Sequence, residues 1–307
     1  MYIAEINNFK ISKIDLTSNS TTPIYYNLFF DSPSSFAING NELYICIRHA
    51  NKISKIDLND PNPVLIDVIT DINDPISISL NGNNLYIAQR DANKISKINI
   101  TDSNPIPIDV LTNLNGPRYI VNNGIDMFIT ENIGQKISKF NMTENTPVLI
   151  EIMNNIMANG IMIKENELFL CMGDFLNKVS KINLLDATPT LVDVVSGVNG
   201  PTSTIVINNE LYIAEFGGNK VTKYALPLIL DGYTFNNKIQ VYPNPSSAYF
   251  SVSNLDQKKY IHLLDINGRI ILKDYINSSD QINIENLSNG LYYIDIEGEK
   301  TLKLIKN

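Results

Sequence analysis

Three observations predict an all-β chain. A block of lysine, apolar residue, serine or threonine, and lysine recurs at a spacing of 42 residues. Four strand-like runs fall within each period, and no segment carries a helical periodicity. The block opens at Lys10, Lys52, Lys94, Lys136, Lys178 and Lys220. A second marker, Leu-Tyr-Ile or a near equivalent, precedes each block, centred on Tyr2, Tyr44, Tyr86, Phe128, Phe169 and Tyr212. Only the fifth marker is one residue out of step, so two independent signals share one register and define a true repeat.

Each period reads the same way. A first strand follows a turn that ends in proline, as in Asp74-Pro75 before Ile76-Ser77-Ile78-Ser79-Leu80, or Gly200-Pro201 before Ile205-Val206-Ile207. Asn39-Gly40, Asn81-Gly82 and Asn208-Asn209 then supply hairpin turns. Leu-Tyr-Ile is the second strand, and the alternating Lys-Ile-Ser-Lys-Ile is the third. A proline-marked loop opens the fourth, as in Pro63 to Ile69. Four short antiparallel strands in a repeat of this length are the pattern of a β-propeller blade. Residues 1–224 are therefore predicted to form a six-bladed propeller. Asn51, Asn93, Asn177 and Asn219, each just before a block's first lysine, are assigned to turns, because asparagine tolerates the left-handed conformation.

The second and third strands occur six times, the first and fourth only five. Closing the ring would take one first strand and one fourth strand from outside the sequence. The expectation is that Met1 is an internal position, with a signal peptide and both strands upstream; a ring that stays incomplete is the alternative.

WD-type repeats are marked by tryptophan, and the chain has none. Its blades resemble the bacterial six-bladed propellers related to NHL repeats and gluconolactonases, through Leu85-Tyr86-Ile87-Ala88, Asn93-Lys94-Ile95 and Gly116-Pro117. These residues are structural, so the resemblance implies a shape rather than an activity.

After Lys223 the repeat stops. Residues 225–237 read as a linker, and residues 238–307 as a small antiparallel, Ig-like sandwich. Pro243 and Pro245 kink its first strand, and Asn267-Gly268 and Asn289-Gly290 are read as hairpin turns. Tyr242-Pro243-Asn244-Pro245, Asp265-x-x-Gly268-Arg269, Leu287-Ser288-x-Gly290-x-Tyr292 and a short basic end follow in order. In that order they resemble the type A C-terminal sorting domain of the type IX secretion system. The resemblance implies passage through the periplasm, recognition by the outer-membrane translocon and removal of the tail by its signal peptidase. It also implies secretion or a place on the outer-membrane surface, usually by attachment to lipopolysaccharide.

Composition agrees with a folded protein that has a sizeable core. Apolar residues make up 44% and charged residues 18% of the 307. The net charge of −8 argues against a nucleic-acid partner, which would want a basic stripe. No apolar run is long enough for a transmembrane helix. Cys46 and Cys171 sit in apolar runs on opposite sides of the ring and read as buried thiols.

Candidate binding residues come from counting back from each block to the mouth of the channel. Five residues back are Glu5, Ile47, Gln89, Glu131, Gly173 and Glu215; four back are Ile6, Arg48, Arg90, Asn132, Asp174 and Phe216. Glu5, Gln89, Glu131, Glu215, Arg48 and Arg90, with Arg118 after Gly116-Pro117, form the candidate ligand-binding set. Carboxylates converging on a channel suit a hard cation such as calcium, and gluconolactonase-like enzymes place a metal there. Their ligand set has no residue-by-residue match here, so no metal site and no cofactor is assigned. His49 is the single propeller histidine, and streptogramin-lyase-like propellers use a histidine as general base, but no partner carboxylate lies nearby in sequence. No catalytic residue is assigned. The expectation is a non-enzymatic module binding a ligand or a protein; a metal-dependent hydrolase or lyase of the gluconolactonase-like or streptogramin-lyase-like kind is the alternative.

Overall fold

The computed structural model describes residues 1–16, 22–26, 28, 31–173, 176–226, 239–253, 255, 258–278, 280–297 and 301–307. The chain divides into two compact units, Met1–Leu226 and Pro227–Asn307. Beyond Leu226, the linker expected at 225–237 lies outside the described residues.

The first unit is a succession of antiparallel sheets. Sheet 1 holds β1 (Tyr2–Glu5), β2 (Lys10–Lys13) and β3 (Ile24–Tyr26). Sheet 2 holds β4 (Pro33–Asn39), β5 (Glu42–Ile47), β6 (Lys52–Asp57) and β7 (Ile66–Ile69). In sheet 3 are β8 (Pro75–Asn81), β9 (Asn84–Gln89), β10 (Lys94–Asn99) and β11 (Ile108–Leu111). Sheet 4 follows with β12 (Pro117–Asn122), β13 (Asp126–Glu131), β14 (Lys136–Asn141) and β15 (Ile150–Asn154). Sheet 5 has β16 (Gly160–Lys164), β17 (Glu167–Met172), β18 (Lys178–Asn183) and β19 (Val192–Ser196). Sheet 6 has β20 (Pro201–Ile207), β21 (Glu210–Glu215) and β22 (Lys220–Ala225). Each strand pairs with its sequence neighbours, as a meander. Among the described residues the one helical element is a single 3-10 turn, Ile6–Asn8.

The repeated letters have local reasons. Gly40, Gly82, Asn208 and Asn209 take positive φ in the turns between first and second strands. Asn51, Asn93, Asn177 and Asn219 are left-handed, with φ of 52°, 52°, 47° and 48°. Phe9 and Gln135 fill the same position in sheets 1 and 4, with φ of 54° and 50°, where composition gave no hint. The first lysine of a block reaches the aspartate of the fourth strand: Lys52–Asp67, Lys94–Asp109 and Lys178–Asp193, each at 2.8 Å. The second lysine reaches the carboxylate that opens the second strand, as in Lys55–Glu42 at 2.5 Å and Lys139–Asp126 at 2.7 Å. The block's serine is buried and must find a partner. Ser54 and Ser180 donate to Asp67 and Asp193, whereas Ser12 and Ser138 donate to Glu5 and Glu131.

Apolar faces then stack sheet on sheet. Ile11, Leu43, Ile45 and Ile56 fill the space between sheets 1 and 2. Tyr44, Cys46, Ile78 and Ile87 do so between sheets 2 and 3, and Ala88, Ile95, Met127 and Phe140 between 3 and 4. Phe128, Ile137, Leu168 and Ile182 follow between 4 and 5, and Phe169, Cys171, Val179 and Ile213 between 5 and 6. First strands are also tied side by side: Ile78 N–H donates to Ser35 Oγ at 3.1 Å, and Ile120 N–H to Ser77 Oγ at 3.3 Å. At Gly160 the neighbouring chain comes so close that a Cβ would lie 2.1 Å from the Thr202 carbonyl oxygen. Cys46 and Cys171 are free thiols in separate sheets, and burial pushes both up to about 12.

The second unit has two sheets. One is β23 (Gln240–Tyr242), β24 (Tyr249–Ser253) and β27 (Ile282–Asn283). The other runs in the order β26 (Ile270–Ile276), β25 (Lys259–Leu264), β28 (Gly290–Ile296) and β29 (Leu302–Lys306). Phe250, Val252, Leu263, Ile276, Ile294 and Leu304 form its core. Asn267-Gly268 is the hairpin between β25 and β26. Asn289-Gly290 is not a hairpin: β27 and β28 belong to different sheets, and Gly290 opens β28 after a crossover.

Candidate functional site

The seven candidate residues separate into two groups. Glu131 and Glu215 are buried, at 1% and 3% exposure, and their oxygens are spent inside the fold. Glu131 accepts from Asn115 N–H at 2.7 Å and from Ser138 Oγ at 3.3 Å. Glu215 accepts from Asn199 N–H at 2.7 Å and from the Thr222 hydroxyl. Burial alone would raise the Glu215 carboxyl; the Thr222 hydroxyl, the Asn199 N–H and Lys220 outweigh it and hold it below the usual range. Gln89, also buried, donates to Ser96 Oγ at 2.6 Å. The two glutamates fasten the loop that leads into their own sheet, whereas Gln89 ties its second strand to the third. Glu5 differs: it is half-buried, accepts from Ser12 at 2.7 Å and Asn8 at 2.9 Å, and lines a cavity with Glu215. Among the described residues no group of three His, Cys, Asp or Glu side chains is placed to hold a metal ion.

Two of the arginines meet on one carboxylate. Arg48, after β5, and Arg90, after β9, flank Asp74, which lies in the turn before β8. Arg48 Nε donates to Asp74 Oδ1 at 2.7 Å, and Arg90 Nε donates to Asp91 Oδ1 at 3.0 Å while lying 3.0 Å from Asp74 Oδ2. Asp74 Oδ2 is buried and makes no hydrogen bond among the described residues, so the two cations hold that oxygen by charge. The hydrogen bond from Arg90 keeps the Asp91 carboxyl below its usual range. Arg118, on β12, donates from Nη1 to Asn159 Oδ1 at 2.7 Å. With its amide turned to satisfy both neighbours, Asn132 accepts from Arg118 at 2.6 Å and donates to the Ala158 carbonyl at 3.1 Å.

Arg118 also stands 5.4 Å from the centre of the Tyr119 ring, a cation–π distance. Burial raises the Tyr119 phenol, and the charge of Arg118 pulls the other way. Arg48 and Arg90 are about a third exposed and spend only Nε on the carboxylates. Their Nη groups are forked donors of a kind suited to a carboxylate, sulfate or phosphate. Sequence spacing found the arginines but missed Asp74 and Asn159, which orient them. Both stand next to the residue that opens a first strand, Pro75 and Gly160, and that shared position was the available signal.

His49 is exposed, with Nδ1 3.5 Å from Asp31 Oδ1. Asp174 lies outside the described residues.

In the second unit the motif letters are fasteners. Asn244 donates to the Lys303 carbonyl at 2.6 Å and accepts from Ile305 N–H at 2.9 Å, pinning the last strand. Asp265 accepts from the N–H groups of Asn267 and Arg269 and from Arg269 Nε, which closes the turn at Gly268. Tyr292 donates its hydroxyl to the Ser288 carbonyl at 2.8 Å. Residues 240–307 match the family model of the secretion system C-terminal sorting domain. The tail is a sorting domain. Such a domain marks a chain for export by type IX secretion, to the cell surface or beyond it, and engages that machinery. No helix among the described residues is long and apolar enough to cross a membrane.

The repeat unit has propeller-like structural neighbours. A nidogen/laminin complex matches at TM-score 0.61 and 15% identity, over 71% of this chain and 86% of that one. A streptogramin B lyase matches at 0.53 and 18%, over 74% and 79%. The hydrazine synthase of Kuenenia stuttgartiensis matches at 0.56 and 15%, over 75% and 74%. At these identities the likeness shows the fold alone. A comparison with curated protein sequences finds no match.

Proposed function

We propose that the exported chain is a binding protein, a six-bladed propeller whose arginine-bearing mouth takes an acidic ligand, with the tail as its address. The observation that carries this reading is the meeting of Arg48 and Arg90, from two successive sheets, on Asp74. Asp74 sets their orientation, and both guanidiniums, about a third exposed, spend only Nε on carboxylates. Fixed guanidiniums recognise planar anions at low entropic cost. On a chain of net charge −8 such a cluster is a local exception that selects ligand rather than solubility. A surface-exposed binding module suits acidic glycans, which carry uronate or sulfate groups. Attachment of the mature protein to surface lipopolysaccharide belongs to the same reading, and no cofactor is needed for it.

A glycan array carrying neutral, uronate and sulfated oligosaccharides tests it. Binding confined to acidic glycans, and weakened at least tenfold in an Arg48→Gln, Arg90→Gln double variant, is expected. Preference for neutral glycans, or indifference to the double substitution, would contradict it.

A further inference from the structure

The chain has four arginines, and three of them meet a carboxylate: Arg48 and Arg90 on Asp74, and Arg269 on Asp265. Arg118 does not. It stands half-buried at the start of β12, and among the described residues only neutral groups hold its guanidinium. Nη1 donates to Asn159 Oδ1 at 2.7 Å, and Asn132 accepts from the same nitrogen at 2.6 Å. Both asparagines are anchored through their backbones. Asn159 N–H donates to the Cys171 carbonyl at 2.7 Å, and Asn132 N–H to the Gly116 carbonyl at 3.1 Å. Asn159 is buried, and Gly173 makes room for its amide: a Cβ there would lie 2.9 Å from Asn159 Nδ2. With the Tyr119 ring 5.4 Å away, the guanidinium is fixed on more than one side.

A half-buried cation has lost part of its hydration, and a neutral amide oxygen returns less of it than a carboxylate does. Elsewhere in sheets 4 and 5 the chain supplies the counter-charge itself, as in Lys139–Asp126, Lys178–Asp193 and Lys181–Glu167. At Arg118 the described residues supply position without charge. Both hydrogen bonds use Nη1, and neither occupies the Nε–Nη2 edge, which is the edge that grips a carboxylate through two parallel bonds. The cluster lies within sheets 4 and 5, each a four-stranded meander.

We propose that Arg118 is a carboxylate-binding site, with Asn132 and Asn159 as its positioning residues. A singly charged, planar carboxylate matches the guanidinium in charge and in shape. A phosphate or sulfate dianion would bring a second negative charge that these neutral neighbours do not balance. The carboxylate can belong to a sugar acid or to a peptide, and both present the same two oxygens. The site does not rest on the meeting of Arg48 and Arg90, and the two readings can fail separately.

The test uses the full chain and the four arginine Nε–H signals in a nitrogen–proton NMR spectrum, assigned by single Arg→Lys substitutions. Galacturonate, its neutral methyl ester and N-acetylglycine are titrated in turn. The Arg118 signal is expected to shift saturably with galacturonate or N-acetylglycine, the tighter of the two naming the source, and at least tenfold more weakly with the ester. Arg118→Lys keeps the charge but loses the two-pronged edge. It should weaken the same carboxylate at least tenfold by calorimetry, while the other three signals stay in place and show an intact fold. An Arg118 signal that neither carboxylate moves, or that the ester moves equally, would overturn the proposal. So would a Lys variant that binds as tightly as the unaltered chain. Shifts confined to Arg48 and Arg90 would overturn it while leaving the acidic-ligand reading of that pair standing.

Discussion

The junctions on either side of sheet 6 draw on the same repeat positions and are finished differently. Between sheets 5 and 6, Glu215 is buried under the loop at Asn199, and Val179, Val198 and Ile213 exclude water. Between sheets 6 and 1, Glu5 holds the corresponding position but stays half-buried beside a cavity. A carboxylate at one repeat position is thus a buried fastener or an accessible acceptor, and the difference lies in whether a loop lies on it. Residue type and spacing alone do not assign a role.

Substitutions that break a filled junction should cost most. Gly160→Ala forces a Cβ against the Thr202 backbone, and overpacking of this kind costs about 3 kcal/mol in urea unfolding. Glu215→Ala leaves the Asn199 N–H and the Thr222 hydroxyl without their acceptor, for a loss of about 2 kcal/mol. Glu5→Ala, by contrast, leaves no loop N–H without its acceptor, only the Ser12 hydroxyl, and should cost about 1 kcal/mol. Equal losses at Glu5 and Glu215 would erase the distinction between the junctions.

Acid sharpens the same comparison. The Glu215 carboxyl is held below its usual range in the folded chain, so it stabilises the fold at neutral pH. That contribution is complete above the unfolded value of about 4.3 and is lost as pH falls through the lower folded value. Glu215→Gln should flatten this part of the acid-unfolding curve, measured by circular dichroism. An unchanged curve would contradict the assignment. In the tail, Asn244→Ala removes two hydrogen bonds to the last strand at a cost of about 1 kcal/mol, read as a lower urea midpoint.

Much of the fold was legible because the repeat writes local chemistry: asparagine where φ is positive, and lysine and serine facing a carboxylate. Phe9 and Gln135 adopt the same left-handed turn without a favourable residue, since the hairpin on either side imposes it. The carboxylates at Glu5, Glu131 and Glu215 were visible as a set and read as ligand donors. What spacing did not reveal is that the loop 16 residues earlier folds back onto Glu131 and Glu215, which is a tertiary contact. Asp74 and Asn159 escaped for the same reason, because each serves an arginine of the preceding sheet, Arg48 and Arg118 respectively. Asn289-Gly290 has the letters of a hairpin, but its flanking strands belong to different sheets.

Amide hydrogen exchange at Asn115 and Asn199 tests most directly whether Glu131 and Glu215 are fasteners of the loops that lie on them. Both N–H groups are expected to exchange slowly and to be released by Glu131→Ala and Glu215→Ala respectively, each at its own loop alone. Fast exchange at these amides in the unaltered chain, or unchanged exchange in the variants, would contradict it.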